Sequence, residues 1–176
     1  MRNVIKVEQL DSKTAEEIAQ AVSDLSKQRG SNKQLPLVLN STNGDYKLAI
    51  GLAKKIHDSN VDLIIEAHGT LDAAGTLLAA SGKKGERHAS SDAVFTPFEE
   101  NKKSVRPDRL SPKNQSVLAT LGKLNANRRK LKTLAPKAED LSAFEAKALN
   151  IVDKVDSFKS KYPRDNSKKR KSFRRS

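Results

Sequence analysis

The chain has 176 residues, no cysteine and a formal net charge of +13. That length suits one compact domain with an appendage, and the missing cysteine excludes disulfides, thiol catalysis and Cys-type zinc sites. No apolar run approaches the ~20 residues that span a bilayer, and the N-terminus lacks the apolar core of a signal peptide, so no membrane partner and a cytoplasmic location are the expectations. The charge is unevenly placed: residues 1–100 net −2, residues 101–133 net +9, residues 134–156 net −2 and residues 157–176 net +8. Two segments hold all the excess, which points to an acidic partner such as nucleic acid or another protein rather than to anything about the fold.

In chain order, residues 4–7 predict a short first strand. Ser12 or Thr14 caps the next helix, with Glu17 three residues after Thr14 as in a capping box, and Gly30 ends it. Ala15, Ile18, Val22 and Leu25 fall on one face of that helix. Residues 35–40 predict a second strand that stops at the turn formers Ser41-Thr42-Asn43-Gly44-Asp45. Leu48, Ala49, Leu52, Ala53 and Ile56 mark a second amphipathic helix, with Lys54, Lys55 and His57 outward. The apolar run 61–67 is a buried strand, and Gly69 through Ala80 reads as a turn followed by a buried helix. Strand, sharp turn and helix are the layout of a nucleophile elbow, in which the turn lifts one side chain clear of the sheet. Its apex holds Asp72, Ala73 and Ala74, none of them an obvious nucleophile.

Residues 81–85 predict a loop, residues 93–96 a fourth strand, residues 114–131 a helix with a basic end, residues 142–149 a short helix and residues 151–155 a last strand. Alternating strands and helices predict an α/β fold around a mainly parallel sheet. The stretch from Lys168 to Arg175 is a basic low-complexity tail unable to bury enough apolar surface to fold alone, so disorder is expected there.

Three segments carry a resemblance. Leu37-Val38-Leu39-Asn40-Ser41-Thr42-Asn43-Gly44 resembles a strand ending in Asn-Ser-Pro-Gly-Gly. Gly69 through Ala80 resembles Gly-x-Ala-Ala-Ser-Met-Gly followed by Leu-Leu-Ala-Ala. Residues 141–155 resemble Ser-Ala-x-Glu-Ala-x-x-x-Gly-Leu-Ile-Asp. In this order they are similar to the proteolytic subunit of the Clp protease, within the wider crotonase-like group. The resemblance implies a Clp-protease-like α/β domain over 1–156, with 101–133 as a basic helical handle and 157–176 as a separate tail.

Family members cleave peptides with a Ser–His–Asp triad. By motif, the serine position falls on Ala73, the histidine position on Phe98 and the aspartate position near Leu134. A methyl group and a phenyl ring supply neither nucleophile nor base, so the resemblance implies a degenerate triad. The family's oxyanion hole maps onto the backbone N–H groups of Gly44 and Ala74, which survive side-chain change, so a residual pocket is expected. The family's leading helix and axial loops have no counterpart before residue 4, which argues against ATPase docking. The resemblance further implies a ring, either of identical subunits or shared with a related one.

Other sites weigh sharp readings against plain ones. Glu66 and His68 share a strand face and Asp72 stands at the elbow, a candidate acid/base cluster for hydratase- or isomerase-type chemistry as in the acyl-CoA branch of the superfamily. The plain reading packs His68 at a strand end and makes Asp72 the cap of the elbow helix. Ser81, Ser90 and Ser91 near His88 invite a relocated dyad, or are simply loop. Neither metal spacing nor a phosphate-binding glycine loop is present, and no cofactor is implied. Arg128, Arg129, Lys130, Lys168, Lys169, Arg170, Lys171, Arg174 and Arg175 are the candidate partner-binding cations.

The sequence thus supports a catalytically silent scaffold or assembly component, in the cytoplasm or a phage particle, that binds an acidic partner. It leaves open two alternatives: an enzyme of the same fold, whether a displaced-residue serine peptidase (Clp-like or of the phage head maturation type) or an acyl-CoA-type enzyme, and a non-specific nucleic-acid-binding protein.

Overall fold

The computed structural model describes residues 4–100 and 109–156. Five parallel strands form the main sheet in the order β1-β2-β3-β5-β8: β1 Ile5–Leu10, β2 Gln34–Gly44, β3 Asp62–His68, β5 Arg87–Ser90 and β8 Lys154–Asp156. A smaller sheet, β4-β6-β7, joins Thr70–Leu71, Val94–Phe95 and Leu141–Ser142, with the β6–β7 pair antiparallel. The helices are α1 Ser12–Lys27, α2 Tyr46–Asp58, α3 Ala73–Ala80, α4 Pro112–Lys123, α5 Arg128–Leu134 and α6 Ala143–Ala148. This is the expected α/β architecture with a mainly parallel sheet.

Val7, Leu37, Leu39, Leu63, Ile65 and Ala67 bring one face of the central strands into the core, against Ile18 and Val22 of α1 and Leu52 and Ile56 of α2. Helix α3 is buried along its whole length, as its small and leucine residues foretell for a helix with no polar stripe. It lies hard against β2. A Cβ on Gly75 would come within 2.7 Å of the Thr42 carbonyl oxygen, so only glycine allows that approach.

Several elements differ from the sequence reading. The cap of α1 is Asp11, whose carboxylate accepts from the Thr14 N–H at 2.8 Å, rather than Ser12 or Thr14. Strand β2 does not stop at Asn40. After an irregularity opposite Val7 and Gln9, Asn43 and Gly44 pair again with Gln9 and Leu10. The turn formers are tolerated because Ser41 takes a φ of +47° and Thr42 is fully buried, its hydroxyl donating to the Val7 carbonyl at 2.6 Å.

Strand β5 escaped the reading altogether, because Arg-His-Ala-Ser carries no apolar run. The strand at 93–96 is β6 and belongs to the smaller sheet. The helix expected over 114–131 is two helices. Asn125 adopts a φ of +67° between them, and Asn127 caps α5 by accepting from the Lys130 N–H. Buried Asn114 on α4 brackets residue 99, accepting from its N–H at 3.0 Å and donating to its carbonyl at 2.9 Å, which fixes the chain just beyond Phe98. Part of the basic handle, and the whole tail from residue 157, lie outside the described residues.

Strand β5 and the closing segment are locked by an ion pair. The Arg87 guanidinium donates to both carboxylate oxygens of Asp153, at 2.7 and 2.8 Å, and also to the Asn150 side-chain and main-chain oxygens. Asp153 accepts from the Gly85 and Arg87 N–H groups as well. Burial works against ionisation of Asp153, but the bonds from Arg87 and from the Gly85 N–H outweigh it and hold the carboxyl below its ordinary 3.8. A depressed folded-state value stabilises the fold above the ordinary value and loses that contribution as pH falls through the folded one. Asp153→Ala leaves a buried guanidinium unpaired and should cost about 3–5 kcal/mol in urea unfolding at pH 7. The gap between wild type and Asp153→Asn should narrow as pH drops below about 4, from the ordinary carboxyl value; a constant gap from pH 7 to 3 would show that this carboxylate does not couple to folding.

Candidate functional site

The elbow is built where the end of β2, the turn after β3 and the start of α3 meet. One carboxylate ties the three together. Asp72 accepts from the Gly44 N–H through Oδ2 at 3.0 Å and from the Gly75 N–H through Oδ1 at 3.1 Å. Its own N–H donates to the Thr42 carbonyl at 3.2 Å, and its carbonyl accepts from the Thr76 N–H at 2.8 Å. Asp72 is thus the N-cap of α3, as the plain reading had it. A carboxylate suits this place because the helix N-terminus presents unpaired N–H groups and the positive end of the helix dipole.

Of the residual pocket expected from Gly44 and Ala74, one donor is engaged. The Gly44 N–H, which by resemblance is one of the two oxyanion donors, already binds the Asp72 carboxylate. Gly44 cannot easily swing away. Its φ is +146°, and a Cβ there would lie 2.4 Å from the Leu10 carbonyl oxygen, so the strand end is pinned against β1. Ala73 and Ala74 are both buried on the first turn of α3, Phe98 is buried after β6, and Leu134 is half-buried at the end of α5.

The candidate cluster Glu66, His68 and Asp72 is divided by the fold. Glu66 and His68 pair directly, Glu66 Oε1 to His68 Nε2 at 2.5 Å, with both side chains at least nine-tenths buried. Asp72 is engaged at Gly44 and Gly75 instead. His68 Nδ1 is buried with no hydrogen-bond partner. The same sheet face carries a second pair. His88 stands opposite Glu66 in the strand register, and its Nδ1 meets Asp156 Oδ2 at 2.9 Å, with Glu86 3.9 Å from Nε2.

Of the serines considered for a relocated dyad, Ser90 donates its hydroxyl to Asp92 and Ser81 donates to the Leu77 carbonyl. Among the described residues no three His, Asp or Glu side chains converge to hold a metal. Arg128, Arg129 and Lys130 are exposed on α5, whereas Lys168, Lys169, Arg170, Lys171, Arg174 and Arg175 lie outside the described residues. The Arg87–Asp153 lock went unread because its members are 66 positions apart, and only the acid of the closing motif hints at it.

Asp72 makes a measurable difference to the fold. Asp72→Ala removes the cap and the strap to β2 and should cost about 1–2 kcal/mol in urea unfolding. Asp72→Asn keeps a capping oxygen and should cost less. Equal losses for the two would indicate that negative charge, not the cap, is the stabilising feature.

Three comparisons bear on this arrangement. The model of the family described as Clp protease matches residues 1–96, which takes in β1 through β6 and the whole elbow. The fold superposes on the ClpP protease catalytic domain from Plasmodium falciparum with a TM-score of 0.69 and 17% identity, covering 92% of this chain and 88% of that one. It superposes equally on ClpP1 from Listeria monocytogenes, with a TM-score of 0.69 and 11% identity, covering 89% and 92%. No curated protein sequence matches. With the family model covering more than half of its length, and the elbow included, this chain belongs to the Clp protease family.

Proposed function

We propose that the chain is a catalytically silent member of its family that works as a structural component of an oligomeric assembly and holds an acidic partner through its basic segments. Asp72 carries this reading. Acyl transfer needs a nucleophile, a base and free donors aimed at the developing oxyanion. At the elbow the motif places Ala73 where the serine stands and Phe98 where the histidine stands, and the Asp72 carboxylate already takes the Gly44 N–H. A substrate carbonyl entering there meets a negative charge in place of a donor.

The partner half of the proposal rests on charge. The family-matched part is near neutral, while residues 101–133 and 157–176 hold the excess, and Arg128, Arg129 and Lys130 project from α5 without being buried. A ring, whether of identical subunits or shared with an active relative, is taken from the family. If the acidic partner is duplex nucleic acid, about seven tail cations on phosphates give a slope of log K against log salt near −6.

A second reading is favoured by one observation, the buried Glu66–His68 pair with its unpartnered Nδ1. A carboxylate-oriented imidazole is the base half of a hydrolase or hydratase, and it supports an enzyme of displaced chemistry on the same fold.

A fluorophosphonate probe and a particle-mass measurement separate these readings. The silent reading expects no covalent labelling, no hydrolysis of unfolded casein and a multimer in sedimentation at micromolar concentration. Stoichiometric labelling that is lost on unfolding would sink it in favour of the second reading. A clean monomer would remove the assembly role.

A further inference from the structure

Helices α2, α3 and α4 end close together, at Asp58, Ala80 and Lys123. With the 81–85 loop, these ends enclose a cavity of about 130 Å³ whose lining includes His57, Ser81, Lys84, Arg87, Lys123 and Asn150. Among the described residues no carboxylate is in that lining. The cavity shares Ala53, His57, Lys123 and Leu124 with a broader hollow of about 450 Å³, to which Ile50 and Thr120 contribute and where Asp58 is the one acid.

The cations here are of two kinds. Arg87 is saturated by Asp153, Asn150 and Ala80, so its guanidinium is a neutralised floor. Among the described residues the side chains of His57, Lys84 and Lys123 make no ion pair or hydrogen bond. Helix carbonyl ends attract cations within the last turn, which accounts for His57 on α2 and Lys123 on α4. It does not account for Lys84, which sits on a loop. Lys84 and Lys123 line, with His57, a cavity that among the described residues has no carboxylate, and the two lysines attract an anion there. Ile50, Ala53 and Leu124 beside them offer an apolar wall, the usual composition of a small-ligand pocket with a few polar anchors.

We propose that this paired hollow binds a phosphate monoester carrying an apolar body, its phosphate between His57, Lys84 and Lys123 and its body against Ile50, Ala53 and Leu124. A phosphate dianion matches three converging basic groups better than a carboxylate does. The site is separate from the elbow, and its existence does not depend on whether the elbow is silent.

The test is a titration of the full-length, isotope-labelled protein with naphthyl phosphate, followed by amide shifts, with naphthoate and inorganic phosphate as parallel arms. Naphthyl phosphate should shift the amides of residues 50–58, 81–87 and 120–125. Inorganic phosphate and naphthoate should each bind at least about tenfold more weakly. The double variant Lys84→Glu with Lys123→Glu alters exposed side chains only and should weaken naphthyl phosphate at least about tenfold, while Lys13→Glu on α1 should leave it unchanged. Unaltered affinity in the double variant, or shifts confined to α5 and the tail, would overturn the site. Naphthoate binding as tightly as naphthyl phosphate would overturn the phosphate assignment.

Discussion

The Asp72 carboxylate is the constraint on which the elbow depends. Its two oxygens join a strand end, through Gly44, to a helix start, through Gly75, so the turn between β3 and α3 cannot open without breaking both bonds. Both bonds are to a charged group, which strengthens them, and here they act at a helix N-terminus that favours negative charge. One of the two donors that by resemblance would steady a transient oxyanion, the Gly44 N–H, steadies the resident carboxylate instead. Catalysis by acyl transfer needs such donors free until charge develops, and at this elbow the Gly44 N–H is held by the resident Asp72 carboxylate.

A second tie does comparable work at the other side of the sheet. Arg87 is buried in a short strand that contributes almost nothing apolar, and it is stable there only because Asp153, Asn150 and the Ala80 carbonyl answer its donors. Asp153 in turn collects N–H groups from the loop before β5. This network attaches the closing segment, α6 and β8, to the part of the chain that carries the elbow. Asn150 completes it by taking a φ of +63° where the resembling motif has glycine; asparagine is among the few residues that adopt that conformation at small cost.

How much of this was legible in the sequence follows from where each contact originates. The cores of β2 and β3 and helices α1, α2 and α3 are written in local periodicity, because Leu37, Leu39, Leu63, Ile65 and the leucines of α3 all face one buried layer. The closing helix is local too, since Ser142 and Glu145 form a capping box within four residues. Strand β5 was not legible, because what makes Arg87 and His88 fit a central sheet lies some 66 and 68 residues away. The break between α4 and α5 rests on Asn125 in a left-handed conformation, which propensity alone does not compel. The site divides in the same way. That Asp72 caps α3 is a three-residue relation, but its capture of Gly44 spans 28 residues and turns on the register of β1 against β2.

The sheet face that leads up to the elbow carries polar pairs. Glu66 and His68 on β3, His88 on β5 and Asp156 on β8 place two carboxylate–imidazole pairs on one side of the sheet. Paired in this way, the His68 imidazole offsets part of the cost of burying the Glu66 carboxylate. Glu66 and His68 are nearly inaccessible, and the remaining ring nitrogen of His68 has no partner. At the elbow, by contrast, Asp72 answers the Gly44, Gly75 and Thr76 N–H groups. Asp72 thus holds the Gly44 N–H at the elbow, while the Glu66–His68 pair just before the turn is placed by the sheet and not by the elbow.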